Sequence, residues 1–296
     1  MPKRILIQLD CDAQPSTFDA IVAVDASTEV LLRHGGVRPD NVVPLIHGAM
    51  FTRGGVDLAS TAIFVGGSDV AAADAVAARV AATFFGSARV GVLVDPSGAN
   101  TTAAAAVVSA GRHLDLASGV AASLSTVVLG GTGPVGQRVV RLLAGRGAQV
   151  TVASRSLGRA EATVAGVRAR SPEARLTALE SSAGCLSESP LGQAVAAADL
   201  IVAAGAAGAT LLNEAGRAAA GKACVLIDLN AVPPAGIVGV NPQDKARADG
   251  VAICYGALGI GGLKLKIHRA ALERIFTDPQ AFLDTEDLLA IGESLG

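Results

Sequence analysis

Three glycines at positions 131, 133 and 136, in the stretch TVVLGGTGPVG (126–136), have the spacing that lets backbone come up against a phosphate. The aliphatic run before them reads as a buried strand, and Pro134 opens a helix behind them. In such a strand–turn–helix one glycine makes the tight turn, one admits the pyrophosphate to the backbone, and one lets helix pack closely on strand. Proline costs nothing at the first helical position, because its missing N–H would have had no partner there. The remaining amides lie at the positive end of the helix dipole and favour an anion. Gly131, Thr132, Gly133, Pro134, Val135 and Gly136 are therefore candidate contacts to a dinucleotide. In a chain with 35 glycines the spacing alone means little. The strand before, the helix after and a second strand at the right distance give it meaning.

The second strand of that unit (149–153) runs into Ser154, Arg155 and Ser156. An enzyme selecting NAD has an acid at about this place, which holds the ribose 2′-hydroxyl. Here a guanidinium stands between two hydroxyls, a set that suits a 2′-phosphate. The reading is NADP, with NAD as the weaker alternative; the local alternative is that the serines cap the next helix and Arg155 is solvated. Ala204, at the end of a strand over 200–204, and Asn230 and Ala231, after a strand over 223–228, complete the candidate cofactor wall. Loops that follow strand C-termini form the ligand crevice in open α/β sheets, and Pro233 and Pro234 stiffen this one.

Other residues carry weaker signals. Ser16-x-x-Asp19 has capping-box spacing, and local helix rules explain both residues. Asn100, Thr101 and Thr102 could line a cleft or cap a helix. Lys264 and Lys266, at i and i+2, point to different sides of a helix, so one can be solvated while the other faces a ligand. Cys11, Cys185, Cys224 and Cys254 are scattered, and His34, His47, His113 and His268 lack ligand spacing, so no metal site is expected. No Ser/His/Asp constellation is evident.

The elements that must position these residues alternate strand and helix, which argues for α/β architecture with parallel sheets. Hydrophobic residues make up 51%, charged residues 17% and aromatics 3% of the 296. That suits aliphatic strands buried under close-packed helices. Strands are read at 4–10, 61–65, 89–94, 126–130, 149–153, 200–204, 223–228 and 251–255. Helices are read at 17–33, 70–85, 100–114, 134–146, 157–170, 263–276 and 279–295. The expected fold is two α/β domains: a substrate domain of residues 1–114 plus 267–296, and a Rossmann-type doubly wound parallel sheet over 115–266, with the active-site cleft between them. A net charge of −2, no dense basic block, one Tyr and no Trp argue against nucleic acid. The uncharged stretch 116–137 is broken by Gly, Pro, Ser and Thr, and the N-terminus passes straight into a strand; no membrane span or leader is expected, and the expected location is cytoplasmic.

Several segments resemble one family. TAIFVGG (61–67), NTTAAAA (100–106) and GALGIGGLKLKIHRA (256–270), with STFD (16–19) and AVPPAGI (231–237), are similar to the NAD(P)-dependent methylenetetrahydromethanopterin dehydrogenases of one-carbon-oxidising bacteria. The resemblance covers essentially the whole chain, and the long C-terminal motif is its most specific part. It implies hydride removal from the methylene carbon of a reduced pterin, giving the methenyl form and NADPH. It also implies a pterin pocket including Phe18, Asp19, Asn100, Thr102 and Lys264, with Lys264 as the catalytic candidate, and a homo-oligomer, of which a trimer is one form. The C-terminal motif resembles members that accept both tetrahydromethanopterin and tetrahydrofolate, whereas AVPPAGI resembles the tetrahydromethanopterin-only type. In that chemistry the nitrogens flanking the methylene carbon stabilise the cation as hydride leaves, so an acid–base pair would add little, and orientation would supply most of the rate. Two rivals remain. A shikimate- or quinate-type dehydrogenase would need a Lys–Asp pair in the first domain, where only Lys3 is found. A non-catalytic NADPH-sensing module would need no chemistry at all.

Overall fold

The computed structural model describes residues 2–117, 120–181 and 188–296; Cys185 lies outside them. The chain begins β1 (Ile5–Asp10), α1 (Thr17–Asp25), β2 (Val30–His34), α2 (Val43–Phe51), β3 (Thr61–Gly66), α3 (Val70–Thr83), β4 (Gly91–Val94) and α4 (Ala99–Gly111). It continues with β5 (Ser125–Leu129), α5 (Pro134–Gly145), β6 (Gln149–Ser154), α6 (Leu157–Arg170), β7 (Leu176–Glu180), α7 (Pro190–Ala197), β8 (Leu200–Ala203), α8 (Glu214–Ala219) and β9 (Val225–Asp228). The last elements are β10 (Lys245–Asp249), β11 (Ala252–Gly256), α9 (Ala257–Thr277), β12 (Phe282–Leu283) and α10 (Thr285–Ser294).

The chain divides into two compact units. One runs to Thr101 and resumes over Lys264–Gly296; the other is Thr102–Leu263. These limits differ from 1–114 with 267–296 and from 115–266, because α4 and α9 each run from one unit into the other.

The first unit is a five-stranded sheet in the order β12-β4-β3-β1-β2, every pairing parallel. Its central strands are aliphatic and buried: Leu6, Leu9, Ala62, Ile63, Val65, Val92 and Leu93 have almost no exposed surface. Strand order reverses between β1 and β3, so the chains leaving their C-termini diverge and open a crevice. The helix read over 17–33 stops at Asp25. Ser27 turns the chain with φ of 65°, and 30–34 becomes a parallel edge strand on β1. No local signal marks that break; pairing with β1 decides it. The helix read over 279–295 is likewise shorter. Phe282–Leu283 pairs with β4, and Asp284 then starts α10 through a reciprocal capping box with Asp287.

The second unit is a seven-stranded sheet in the order β10-β11-β9-β8-β5-β6-β7, parallel except where β10 runs antiparallel to β11. Six of these strands make the doubly wound arrangement of a Rossmann fold, with the reversal between β5 and β8. The sheet is thus mixed rather than wholly parallel, since a turn at Gly250, with φ of +63°, folds β10 back on β11. β7 and β10 were not legible because their sequences, LTALE and KARAD, are short and half-exposed. The glycine-rich stretch 256–262 is not a connector ahead of a helix: α9 starts at Ala257. Glycine weakens a helix by about 1 kcal/mol per residue, yet it permits close approach. A Cβ on Gly259 would lie 1.8 Å from the Asp244 carbonyl oxygen.

No helix among the described residues is long and apolar enough to cross a membrane, and no group of His, Cys, Asp or Glu among them could hold a metal ion. Cys11 is half-buried, Cys224 exposed and Cys254 buried.

α9 closes the first unit by lying on β4, where Gly91 leaves it no room to spare. A Cβ there would fall 2.1 Å from the Ile275 carbonyl oxygen. Gly91→Ala should therefore cost about 3 kcal/mol, the upper end for overpacking, because backbone must move. Gly54→Ala, with open space at its Cβ, should leave the melting temperature nearly unchanged; equal melting of the two variants would contradict the packing described.

Candidate active site

Each unit carries a pocket at the C-terminal ends of its strands. In the second unit β5 turns through Gly130, whose φ of +72° and close neighbour, Gly205 Cα at 2.6 Å from a would-be Cβ, both demand glycine. The left-handed turn thus falls one residue ahead of the motif's first glycine. Gly136 lets α5 sit on that turn, since a Cβ would meet the Gly130 carbonyl oxygen at 2.5 Å. Gly133 is the N-cap of α5 and Pro134 its first residue, as the sequence required.

The cavity above is about 530 Å³ and is lined by Thr132, Gly133, Pro134, Ser154, Arg155, Ser156 and Ala204 among the residues picked out from sequence. Gly131, Val135, Gly136, Asn230 and Ala231 do not line it. Gly131 and Gly136 form the packed turn beneath, and Asn230 has a different task. Its amide donates to the Pro234 carbonyl at 3.0 Å, and its side-chain oxygen accepts from the Val232 N–H. Asp228 accepts from the Asn230 and Ile237 N–H groups, each at 3.0 Å, so the loop is stapled from within. Burial raises the Asp228 carboxyl's pKa, while those backbone donors oppose the rise. Ala231 is exposed on the same loop.

Arg159 and Ser181 also line the cavity and were missed. Arg159 was findable: it sits four residues after Arg155, where Ser156 caps α6 by accepting from the Arg159 N–H at 3.4 Å. Both guanidinium groups lie at an exposed rim, and among the described residues neither pairs with an acid. Thr132 and Ser154 hydroxyls are 3.2 Å apart on the wall between them and the glycine turn. Among the described residues, two cations without an acid partner, beside hydroxyls and a glycine-edged helix N-terminus, fit an NAD(P)-type dinucleotide.

The first unit's pocket, about 300 Å³, lies at the β1/β3 reversal and brings together Phe18, Asp19 and Lys264, 246 residues apart in sequence at the widest. Asp12, Ser16, Gly67, Ser68, Ser97 and Gly98 complete it. Asn100 and Thr102 do not line it. Asn100 is fully buried and donates to the Val94 carbonyl at 2.7 Å and to Asp284 at 3.0 Å. The α4 cap is Asp95, whose Oδ1 accepts the Asn100 and Thr101 N–H groups while Oδ2 accepts the Thr101 hydroxyl. Thr102, half-buried, falls in the other unit.

The capping box at Ser16 is only half made. Ser16 Oγ accepts from the Asp19 N–H, but the Ser16 N–H goes to Asp10. Asp19 is left facing the pocket, only 7% exposed. Burial, then repulsion from Asp95, pushes its pKa up to about 7, against a hydrogen bond with Ser16 and the attraction of Lys264. Lys264 sits in the interior of α9, half-buried, while Lys266 is exposed. The Lys264 ammonium lies 5.1 Å from the centre of the Phe18 ring, within cation–π range. It presses against Gly98, where a Cβ would come within 2.5 Å of Nζ. One turn further on, His268 stacks on Phe64, and burial lowers its pKa so that it stays neutral. Lys264 and Asp19 thus line one pocket of the first unit, because α9 returns a lysine to it. A first domain of 1–114 with 267–296 leaves Lys264 out, whereas the first unit resumes at Lys264 itself.

Residues 17–97 match the family model described as methylene-tetrahydromethanopterin dehydrogenase, N-terminal. Over the whole of both chains the sequence is 40% identical to the "Bifunctional protein MdtA" of Methylorubrum extorquens. The chain belongs to the methylene-tetrahydromethanopterin dehydrogenase family. It is also 32% identical, over 89% of each chain, to that organism's NAD(P)-dependent methylenetetrahydromethanopterin dehydrogenase. Among solved structures, quinate dehydrogenase from Corynebacterium glutamicum in complex with NAD aligns over 99% of each chain with a TM-score of 0.52 and 16% identity, a likeness of fold. In this oxidoreductase family the two-sheet architecture, with its NAD(P)-type Rossmann unit, is the expected frame.

A pKa raised from 3.8 to about 7 is a stability statement. The folded state holds a proton on Asp19 that the unfolded chain gives up near pH 4. The cost to stability is absent below about pH 4, grows as pH rises, and is complete above about pH 7. Asp19→Asn should therefore melt higher than the parent at pH 8, with the difference vanishing near pH 4. A difference independent of pH would refute the ionisation assigned to Asp19.

Proposed function

We propose that the chain removes hydride from the methylene carbon of methylene-tetrahydromethanopterin and delivers it to NADP, giving the methenyl pterin and NADPH in one-carbon metabolism, with methylenetetrahydrofolate as a second carrier. The observation that carries this reading is the convergence of Phe18, Asp19 and Lys264 on one pocket in a chain of this family. The C–H bond breaks with both electrons leaving in the hydride, and the adjacent nitrogens take up the positive charge, so no proton has to move. The nicotinamide, when bound, supplies the hydride acceptor. What the protein adds is position.

Phe18 offers a half-exposed ring as a face for the flat pterin. Asp19 and Asp12 offer carboxylates to ring N–H donors; Asp12 is held in place by the Ser68 N–H at 2.9 Å and hydroxyl at 2.8 Å. Lys264 orients the ring's acceptors through hydrogen bonds. Its charge would oppose the forming cation, so orientation and not charge stabilisation is its role. Because Asp19 titrates near neutrality, pterin KM should show one inflection there without a bell in the hydride step. Arg155 and Arg159 select the 2′-phosphate. The reading places the enzyme in the cytoplasm as a homo-oligomer.

The test is NADP reduction with methylene-tetrahydromethanopterin, methylenetetrahydrofolate, quinate and shikimate in parallel, the last two because a lysine and an aspartate line the same pocket. Turnover with the hydroxy acids alone would overturn the proposal. Lys264→Ala should lower kcat/KM for the methylene pterin at least ~10-fold, about 1.4 kcal/mol, with NADP affinity in the absence of pterin unmoved and Lys266→Ala silent. Arg155→Ala and Arg159→Ala should each raise KM for NADP far more than KM for NAD, since a charge-assisted bond is worth about 1.5–3 kcal/mol. Equal effects on both nucleotides would rule out the phosphate contact.

A further inference from the structure

Among the described residues, three other than glycine hold a left-handed backbone: Ser27, Ser97 and Ala246. Two have local explanations. Ser27 follows the C-cap of α1, a usual place for such a turn. Ala246 lies at the register shift between Lys245 and Arg247, where β10 bulges against β11. Ser97, with φ of 55° and ψ of 21°, has no such reason to be a serine. It sits between Pro96 and Gly98, and Gly98 is itself left-handed with φ of +62°. A glycine at 97 would meet the same backbone demand without strain.

What distinguishes Ser97 is where its side chain goes. From Gly91 to Thr101 every residue is buried except Ser97. It lines the first unit's pocket beside Gly98, against which the Lys264 ammonium rests. Among the described residues its hydroxyl makes no hydrogen bond, whereas the neighbouring polar groups are engaged: Asp95 caps α4, Asn100 holds the Val94 carbonyl, and Thr101 donates to Asp95. A strained backbone thus presents one unengaged hydroxyl to the pocket on the same wall as Lys264.

We infer that Ser97 is a substrate-binding residue whose hydroxyl bonds the polar edge of the reduced pterin, and that its left-handed backbone is the strain accepted to present it. This deepens the pterin reading and rests on it. The bound edge has both lone-pair acceptors and N–H donors, and a hydroxyl can serve either. Paired with Lys264, which only donates, it would discriminate between ring edges that present an acceptor alone and those that present an acceptor beside a donor.

Two substitutions separate strain from contact. Ser97→Gly removes both the hydroxyl and the strain; Ser97→Ala removes the hydroxyl and keeps the strain. Both should raise KM for the methylene pterin about fivefold, the loss of one neutral hydrogen bond, with the NADP dissociation constant measured without pterin unchanged. Only Ser97→Gly should melt higher than the parent, by about 2–4 °C. A merely structural serine would give Ser97→Gly the higher melting temperature and an unaltered KM, and that result would overturn the assignment while leaving the pterin reading in place. No turnover of the methylene pterin by the parent chain would overturn both. A KM raised in Ser97→Ala and Ser97→Gly alike, with only Ser97→Gly melting higher, would support it.

Discussion

Backbone N–H groups that leave a parallel sheet at its C-terminal edge lose their ladder partners while still buried, and each must find another acceptor. In both units a buried aspartate supplies it. Asp10, at the end of β1, takes the Asp12 and Ser16 N–H groups at 3.0 Å each. Asp95, just beyond β4, takes those of Asn100 and Thr101. Asp228, at the end of β9, takes those of Asn230 and Ile237. All three are almost wholly buried. The loops they hold carry walls of the first unit's pocket or, at β9, the proline segment.

That arrangement has an electrostatic consequence. Carboxylates placed to satisfy backbone donors also lie near the ligand-facing Asp19. Asp95 and Asp10 both repel a charge on Asp19, and burial repels it more strongly than either. Lys264 is the compensating cation among the residues lining that pocket, held between the Phe18 ring and the flat face of Gly98. His268, which could have supplied a second, stays neutral in its apolar site with Asp95 4.0 Å away. The pocket therefore combines acceptor-rich walls with a single cation, a polarity suited to a ring carrying several N–H donors and few acceptors.

Close backbone approach is the second theme. With 35 glycines and few aromatics, the chain packs by bringing main chain against main chain rather than by filling space with large side chains. Gly136 on Gly130, Gly259 on Asp244 and Gly91 on Ile275 are three such contacts, each with a carbonyl oxygen where a Cβ would stand. α9 uses them at both ends. That is why a stretch rich in poor helix formers is nonetheless helical, and why Lys264 emerges from a fixed helix interior instead of a mobile loop.

The nucleotide half was legible in the sequence because its information is local: strand, glycine turn, proline-led helix and the Ser-Arg-Ser step lie within 31 residues of one another. Those features dictate a Rossmann unit and a phosphate-binding end before any packing is known. The pterin half was legible only through the family's motifs, and its geometry needed the fold. Asn100 looked like a cleft residue and proved to be a buried strut, because Asp284, 184 residues away, reaches its amide. Ser16 and Asp19 looked like a closed capping box, which Asp10 opened by taking the Ser16 N–H. The edge strands β7 and β10 had too little hydrophobic pattern to declare themselves, and β2 read as the end of a helix, since an edge strand is defined by its neighbour. Residue spacing by itself could not bring Lys264 and Asp19 together; only the resemblance to the family put them in one pocket. Their meeting depends on a long helix returning to the first sheet, and a contact between residues so far apart is written in tertiary packing, not in any local spacing.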